Sequence, residues 1–388
     1  MRNSAGLGRY LLRALLCKAD IENLVGNNTE ALKTADAALS NAKTAGKGSR
    51  AEALLLMSNI HSSLGEYGHM LKCVTRALKL YKDIGDKLKS ADCLRIMANV
   101  QHERGYPAEA EGLFRRSLEL SAGKKDRVRK ALALSGIALL NSMGGENKKA
   151  LKILFRALRI FEEQNDPVNA ARCLNNIAFT YDASGDTDNA LTYYRMSLEA
   201  RMKTGDNEGQ AVCLNNMGIL YFQKGNHKKA MEYYGRVLEI RDRIGDKIGY
   251  AVTLNCIGYM KLAEGDIKNA FIYLSRSLEL SRKTGDISNS ASALNNLGLL
   301  LMEKKDIKRA FGYFDKALRL FERLSDLRNI STVLYNKARA RMREDRLPAA
   351  LKYVRKALAV NRKLKDPEAV KKTLKDIETL KRKICGEN

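Results

Sequence analysis

Several residue types and patterns are scarce in this 388-residue chain, and each scarcity excludes a class of protein. There are 4 prolines and no tryptophan, which argues against a proline-rich linker protein and against many short strands joined by tight turns. The 7 cysteines include no Cys-x-x-Cys pair, so neither a zinc ribbon nor a thioredoxin-like redox centre is expected. No uncharged apolar run approaches about 18 residues, the length that a transmembrane helix needs.

The N-terminal apolar segment does not read as a secretory signal. Residues 10–16 are apolar but short, and Arg13 interrupts them. The expected compartment is therefore the reducing cytoplasm, where the cysteines are free and act as small buried hydrophobic residues. The 69 Lys and Arg exceed the 44 Asp and Glu, and the formal net charge of +25 favours anionic partners.

The strongest pattern is an internal repeat with a period of forty residues, which runs without a slip from about residue 50 to the end. One leucine position recurs in nine successive rows: Leu54, Leu94, Leu134, Leu174, Leu214, Leu254, Leu294, Leu334 and Leu374. A small residue recurs four positions later: Ser58, Ala98, Ala138, Ala178, Gly218, Gly258, Gly298 and Ala338. Such regularity indicates a solenoid of stacked units.

Each unit is typical of two helices joined by a short turn. In the unit at 171–200, apolar positions three, four and seven apart define one face of each helix: Leu174, Ile177, Ala178 and Tyr181, then Ala190, Leu191, Tyr194 and Leu198. Gly185-Asp186 lies between them. Glycine suits the left-handed position at the end of the first helix, and aspartate suits the N-cap of the second. We expect the two helices to approach most closely where Ala178 faces Ala190.

This pattern resembles the tetratricopeptide repeat family over about residues 8–384. In one unit the match consists of large, large, small and aromatic positions followed by alanine, aromatic and small positions: Leu174, Ile177, Ala178, Tyr181, Ala190, Tyr194 and Ser197. The period of forty in place of about 34, and the missing proline after each second helix, are similar to the long-repeat branch that includes kinesin light chain and the spindle adaptor rich in Leu-Gly-Asn repeats. The resemblance implies an all-α, right-handed superhelical solenoid of about nine antiparallel helix hairpins, with first helices lining a concave groove.

The predicted domain organisation is a single solenoid over residues 1–388. Residues 8–45 form a degenerate first repeat that is offset by one position at Gly26, Ala31 and Leu39. Eight regular repeats fill 46–366, and 367–384 form a capping helix. We expect Leu374, Ile377 and Ile384 to be the inner face of that helix.

The sequence predicts no enzyme, no cofactor and no metal site. Its four histidines, His61, His69, His102 and His227, include no two at metal-ligand helical spacing. Each glycine cluster is explained by a helix end and not by a phosphate-binding loop, and no Gly-x-Ser-x-Gly signature is present.

Asparagine on the first helices is the most informative feature for function, since each costs about half a kcal/mol in a helix interior. A column of carboxamides beside the groove would hold the backbone of an extended peptide, because each offers two donors and an acceptor. The resemblance to kinesin light chain and the spindle adaptor implies the same role; the alternatives are links between adjacent first helices or a trace of repeat duplication. The candidate groove residues are Asn175, Asn176, Asn215, Asn216, Asn255, Asn295, Asn296 and Asn336, with Phe179 and Tyr259 as aromatic anchors.

Cations form the second candidate site. Arg95, Asn99 and Arg172 partly resemble the two-carboxylate clamp of chaperone-binding repeats, although Gly136 and Asn176 depart from it. Residues 301–388 contain 25 Lys and Arg against 12 Asp and Glu. Arg339 and Arg343 are expected to face the groove, and Arg341 takes the column of Tyr181 and Tyr221. The basic end predicts either an acidic partner or only a solubilising cap.

The favoured function is a non-catalytic scaffold or adaptor that binds a peptide segment of a partner, acidic side chains being chosen by Arg95, Asn99, Arg172, Arg339 and Arg343. The alternative is a nucleic-acid-binding or signalling and transcription regulator driven by the basic C-terminal half. Interspersed acidic residues and the lack of a long basic block favour the first. The sequence predicts no oligomeric state.

Overall fold

The computed structural model describes residues 2–385 apart from 26, 122, 124, 125 and 365, so Gly26 of the degenerate repeat lies outside the described residues. That part of the chain contains nineteen α-helices and no strand, which confirms the predicted all-α hairpin solenoid. The helices are α1 (Arg2–Leu24), α2 (Asn28–Ala45), α3 (Lys47–Ser63), α4 (Tyr67–Asp83), α5 (Lys87–Glu103), α6 (Pro107–Leu120), α7 (Arg127–Met143), α8 (Asn147–Glu163), α9 (Pro167–Ala183), α10 (Thr187–Thr204), α11 (Asn207–Gln223), α12 (His227–Arg243), α13 (Lys247–Ala263), α14 (Ile267–Thr284), α15 (Ile287–Glu303), α16 (Ile307–Leu324), α17 (Leu327–Arg343), α18 (Leu347–Lys363) and α19 (Pro367–Cys385). Within the described ranges, no helix combines the length and apolarity needed to cross a membrane.

The helices pack first within hairpins and then between them. The odd-numbered helix of a hairpin packs on the even-numbered helix that follows, as α9 does on α10 and α15 on α16. Within a unit, neighbouring hairpins then contact one another, for example through α10 and α11 or through α16 and α17. First helices of successive hairpins also meet, α9 with α11 and α15 with α17. One hairpin cannot bury its apolar face alone, so this stacking supplies the core.

The turns use the predicted stop-and-cap device. Gly185 and Gly265 both have φ of 81°, the left-handed conformation that glycine adopts without strain. The following aspartates cap the next helix: Asp186 accepts from the Asn189 N–H at 3.2 Å, and Asp266 accepts from the Asn269 N–H at 3.1 Å. Each turn therefore ends one helix and starts the next within three residues.

The column of small residues lies against the core residue sixteen positions later. A Cβ added to Gly298 would lie 2.6 Å from the Phe314 ring, and one added to Gly258 would lie 2.7 Å from Leu274. At Gly218 the corresponding distance to the Tyr234 ring is 3.1 Å. The small side chain thus makes room for a large buried residue of the second helix sixteen positions later. The close approach of Ala178 to Ala190 stays a prediction.

Backbone contacts divide the chain into two compact units. The first comprises the residues up to 61, 69–102 and 107–253; the second comprises 62–68, 103–106 and the residues from 254 onwards. The first unit buries clusters such as Leu154 with Phe161, and the second buries Leu294 with Phe314. The single solenoid over 1–388, with its repeat and cap boundaries, stays a prediction.

The last helix, α19, turns a different face to α18 from the one we predicted. Its buried residues are Thr373, Ile377 and Leu380. Leu374 is 45% exposed and Ile384 is 40% exposed. The prediction that these two residues lie on the inner face was therefore wrong. The reason is a polar anchor: the Thr373 hydroxyl accepts from the Tyr335 hydroxyl at 2.6 Å and from the Asn361 amide at 2.9 Å, which fixes the rotation of the helix.

Candidate functional site

The asparagines of the first helices form pairs between neighbouring hairpins. In the first unit the Asn216 amide donates to the Asn175 carbonyl oxygen at 3.4 Å. In the second unit Asn296 donates to Asn255 at 3.0 Å and Asn336 donates to Asn295 at 2.9 Å. Each pair joins residues forty-one apart, which is one repeat plus one residue. The alternative that asparagine links adjacent first helices therefore describes part of what these side chains do.

Most of these carboxamides are also half-buried, and only Asn336 is buried. A carboxamide has two N–H donors and one acceptor oxygen, and a pair uses one N–H and one oxygen. The remaining groups of the half-buried asparagines keep hydrogen-bonding capacity that the pairs do not use.

Two asparagines of the first unit stand outside the pairs. Asn215 has a carbonyl oxygen that is buried without a hydrogen-bond partner. In the other pairs the donor asparagine lies forty-one residues after the acceptor. For Asn215 that position is 256, where the sequence has Cys256 instead of asparagine. Asn176 is half-buried, and no other described side chain pairs with its carboxamide. An unpaired buried acceptor costs about 1–3 kcal/mol, so the Asn215 carboxamide would gain a hydrogen bond by turning outward to meet a ligand donor.

Arginines of three successive first helices lie near one another in the first unit. Arg129 on α7 binds both carboxylate oxygens of Asp92 at 3.1–3.2 Å. Arg95 on α5 has a buried Nε with no partner. Burial lowers the pKa of Arg95, the Asp92 carboxylate opposes that shift, and Arg172 and Arg129 add to it. Asp92, the described carboxylate that acts on Arg95, is thus bound by Arg129, which also contacts Asp126 at 3.2 Å, so these two carboxylates stand against the three cations Arg95, Arg129 and Arg172.

The remaining predicted residues of the site are accessible to different degrees. Asn99, Arg172 and Arg339 are exposed, and Phe179 is half-buried. Tyr259 on α13 is 48% exposed. These side chains are therefore within reach of a partner, Tyr259 more than Phe179.

The basic C-terminal helices are more internally paired than their composition suggests. Arg343 donates to the Met302 carbonyl at 2.8 Å and to the Glu303 carboxylate at 2.7 Å. Arg341 binds Glu344 at 2.6 Å and stacks 3.9 Å from the centre of the Phe311 ring. The tyrosine column therefore stays packed at Arg341, and this cation is held within the chain.

Sequence reasoning missed one pair of histidines. His61 near the end of α3 and His69 in the first turn of α4 stack with ring centroids 5.1 Å apart. They are eight residues apart across a turn, so a search for helical metal-ligand spacing does not find them. Their nitrogens lie within 4.8 Å of each other, close enough to share a metal ion. Two imidazoles are half of the four ligands of a structural zinc site, so the pair alone does not define one.

This geometry defines the class of protein: it is an all-α repeat protein built from stacked helix hairpins. The tetratricopeptide repeat model matches residues 129–203, 169–243, 249–323 and 289–363, and a second model of that repeat matches 51–84. The matches cover more than half of the chain, which therefore belongs to the tetratricopeptide repeat family. A search of curated proteins finds no match.

Solved structures with the same fold are numerous. A Rap protein complexed with Competence and Sporulation Factor is 15% identical, covers 93% of this chain and 88% of its own, and has a TM-score of 0.58. Aspartyl phosphate phosphatase F from Bacillus subtilis is 14% identical, with 95% and 96% covered and a TM-score of 0.55. Kinesin light chain TPR-like repeats from Podosopora anserina are 14% identical, with 50% and 96% covered and a TM-score of 0.40. At these identities the likeness to the Rap protein and to the phosphatase shows the fold alone.

Proposed function

We propose that this chain is a non-catalytic adaptor that binds a peptide segment of a partner protein along its amide-bearing first helices. The repeat family supports a protein-interaction scaffold, and a Rap protein of similar fold is in complex with Competence and Sporulation Factor. The observation that carries the proposal is the row of half-buried carboxamides, in which the Asn215 oxygen has no partner within the chain.

The paired and unpaired amides have different roles in this proposal. The pairs Asn216 with Asn175 and Asn296 with Asn255 hold the row in register. Asn176 and Asn215 are not engaged in such pairs, so a peptide backbone is their natural partner. An extended backbone offers N–H and C=O groups at regular intervals and makes these bonds without requiring a particular side chain.

Acidic side chains of the partner would bind at Arg95 and Arg172. Arg95 has an unpartnered, buried Nε, and Asp92 is bound by Arg129. A carboxylate from the partner would supply the negative charge that this group lacks, and a guanidinium binds a carboxylate through two parallel hydrogen bonds. The need for an acidic side chain at Arg95 and Arg172 would select among the peptides whose backbone the amides alone would bind.

We do not extend the proposal to nucleic acid. The cations of α17 that motivated that alternative include Arg343 and Arg341, which bind Glu303 and Glu344. A cation held by its own carboxylate contributes little to the phosphate contacts that dominate nucleic-acid affinity.

The test uses the division of the amides. One variant combines Asn176→Ala with Asn215→Ala, which removes the carboxamides that the pairs leave out. A matched variant combines Asn175→Ala with Asn216→Ala, which removes both members of a pair together with the hydrogen bond between Asn216 and the Tyr194 hydroxyl. Both are compared with the wild-type chain by quantitative co-purification from the native cell extract, followed by affinity measurement for each captured protein.

We expect the Asn176 and Asn215 variant to retain its melting temperature and to lose about tenfold or more in affinity for its partner, as expected when hydrogen bonds worth about 1.5 kcal/mol are lost. Asn189→Ala, at an exposed turn position on α10, serves as a surface control. The same partners bound with the same affinities by the Asn176 and Asn215 variant would remove these amides from the site.

A further inference from the structure

A cleft in the second unit is lined by cations and floored by apolar residues. It lies where the end of α14 and the start of α15 meet α16, and its volume is about 400 Å³. Leu294, Leu320 and Ile287 line its apolar part. Arg282, Lys316 and Arg319 stand at its rim, and no described carboxylate pairs with them.

The one acidic residue of the cleft does not neutralise these cations. Asp286 is buried and accepts from the Asn289 N–H at 2.9 Å as the cap of α15. The rim therefore carries three positive charges that face solvent over an apolar floor. The combination suits a ligand that is both anionic and apolar.

The forty-residue register shows that arginine at position 319 is a property of two repeats and not of all. The residue at the register of Arg319 is glutamate in four other repeats: Glu119, Glu199, Glu239 and Glu279. It is arginine again at Arg159, and there a second cleft of about 480 Å³ is lined by Arg127, Lys130, Arg156 and Arg159. Arg127 and Arg159 share Glu163 in that cleft, at 2.6 Å and 3.0 Å. Clefts of this shape thus occur at the same register in two repeats, each with arginine in place of glutamate.

We propose that the cleft over α15 binds an acidic peptide segment of a partner protein, with one apolar side chain entering the cleft and flanking carboxylates contacting Arg282, Lys316 and Arg319. Its volume accommodates a leucine or phenylalanine side chain, and the rim provides the complementary charge. The site shares α15 with the amide row but is lined by none of its asparagines, and it goes beyond the function proposed above, so each can fail without the other.

A nucleic acid fits this surface less well. A nucleic-acid strand carries a charge about every 3.4 Å and gains from a continuous basic track. Glu279, at the register one repeat before Arg319, interrupts such a track. The apolar floor of Leu294 and Leu320 would also stay uncovered beneath a phosphate backbone.

The experiment uses the full chain and two labelled probes in anisotropy titrations. The first probe is a short peptide of alternating Asp and Glu with one central phenylalanine; the second has serine in place of that phenylalanine. The test variant is Arg319→Glu, which introduces the residue that four other repeats hold at this register. The matched control is Lys308→Glu, an equal change of charge at an exposed position on the same helix outside the cleft.

We expect Arg319→Glu to weaken binding of the phenylalanine probe about tenfold and Lys308→Glu to change it by less than about twofold. The serine probe should bind the wild-type chain about tenfold more weakly. Equal losses for both variants would show attraction by net charge and overturn the site, as would equal binding of both probes. Failure of the phenylalanine probe to bind at low salt would also overturn it. Single-stranded oligothymidylate that displaces the probe and depends equally on Arg319 would reassign the surface to nucleic acid.

Discussion

Replacing Gly298 by alanine tests how closely the two helices of a hairpin approach. The new Cβ would lie 2.6 Å from one carbon of the Phe314 ring and 2.7 Å from the next. Phe314 is fully buried, so the ring has no free space into which it can move. Overpacking of this kind costs about 1–3 kcal/mol, against about 1 kcal/mol gained from the better helix propensity of alanine. We expect a net loss of up to about 2 kcal/mol in the free energy of unfolding.

Gly312→Ala is the matched control. Gly312 lies on α16 in the same unit, and an added Cβ would meet nothing within 4 Å. That variant should gain about 1 kcal/mol, so the two substitutions should differ by about 1–3 kcal/mol. Urea midpoints measured side by side give the difference. If Gly298→Ala proves as stable as Gly312→Ala, the packing described here for the small column is refuted.

Three further substitutions or reactions test other parts of the structure. Burial raises the pKa of the Cys93 and Cys173 thiols to about 12, so a thiol reagent at mildly alkaline pH should label exposed Cys17 and Cys385 at once and the buried pair only after denaturation; fast labelling of the buried pair in the folded chain would contradict this. Burial also raises the pKa of Asp286, so its folded form holds a proton more tightly than its unfolded form, and its contribution to stability is lost as pH rises through the folded pKa. Asp286→Asn should therefore raise the melting temperature near neutral pH. The difference in melting temperature between variant and wild type should shrink as pH falls towards 3.8, and a difference independent of pH would be inconsistent with the burial of Asp286. Ala230→Arg should cost about 3 kcal/mol or more, because fully buried Ala230 leaves no room or partner for a charge, and an unchanged melting temperature would speak against this packing.

The repeated elements could be predicted because each is encoded locally and many times over. Gly185-Asp186 and Gly265-Asp266 dictate a helix end and a cap from two adjacent residues. The leucine and small-residue columns then set the buried faces by helical periodicity alone. For the same reason Tyr194, predicted on the apolar face of its helix, is buried.

The features that the sequence did not reveal depend on contacts between repeats. The rotation of α19 follows from the hydroxyl of Thr373 meeting Tyr335 on another helix. The amide pairs join residues forty-one apart, so the periodic column itself does not distinguish a pair from an unpaired group. Likewise Arg343 was expected to be open to a partner, and a carboxylate on the preceding first helix holds it.

The central claim is that a partner lies along the first helices, and site-specific photo-crosslinking tests it most directly. A benzophenone amino acid replaces Phe179, half-buried on first helix α9, or Met196, 44% exposed on second helix α10. The captured partner should crosslink at position 179 and not at position 196, and the crosslink should weaken when Asn176 and Asn215 are alanine. A crosslink confined to position 196 would place the partner on the other row of helices and contradict the claim.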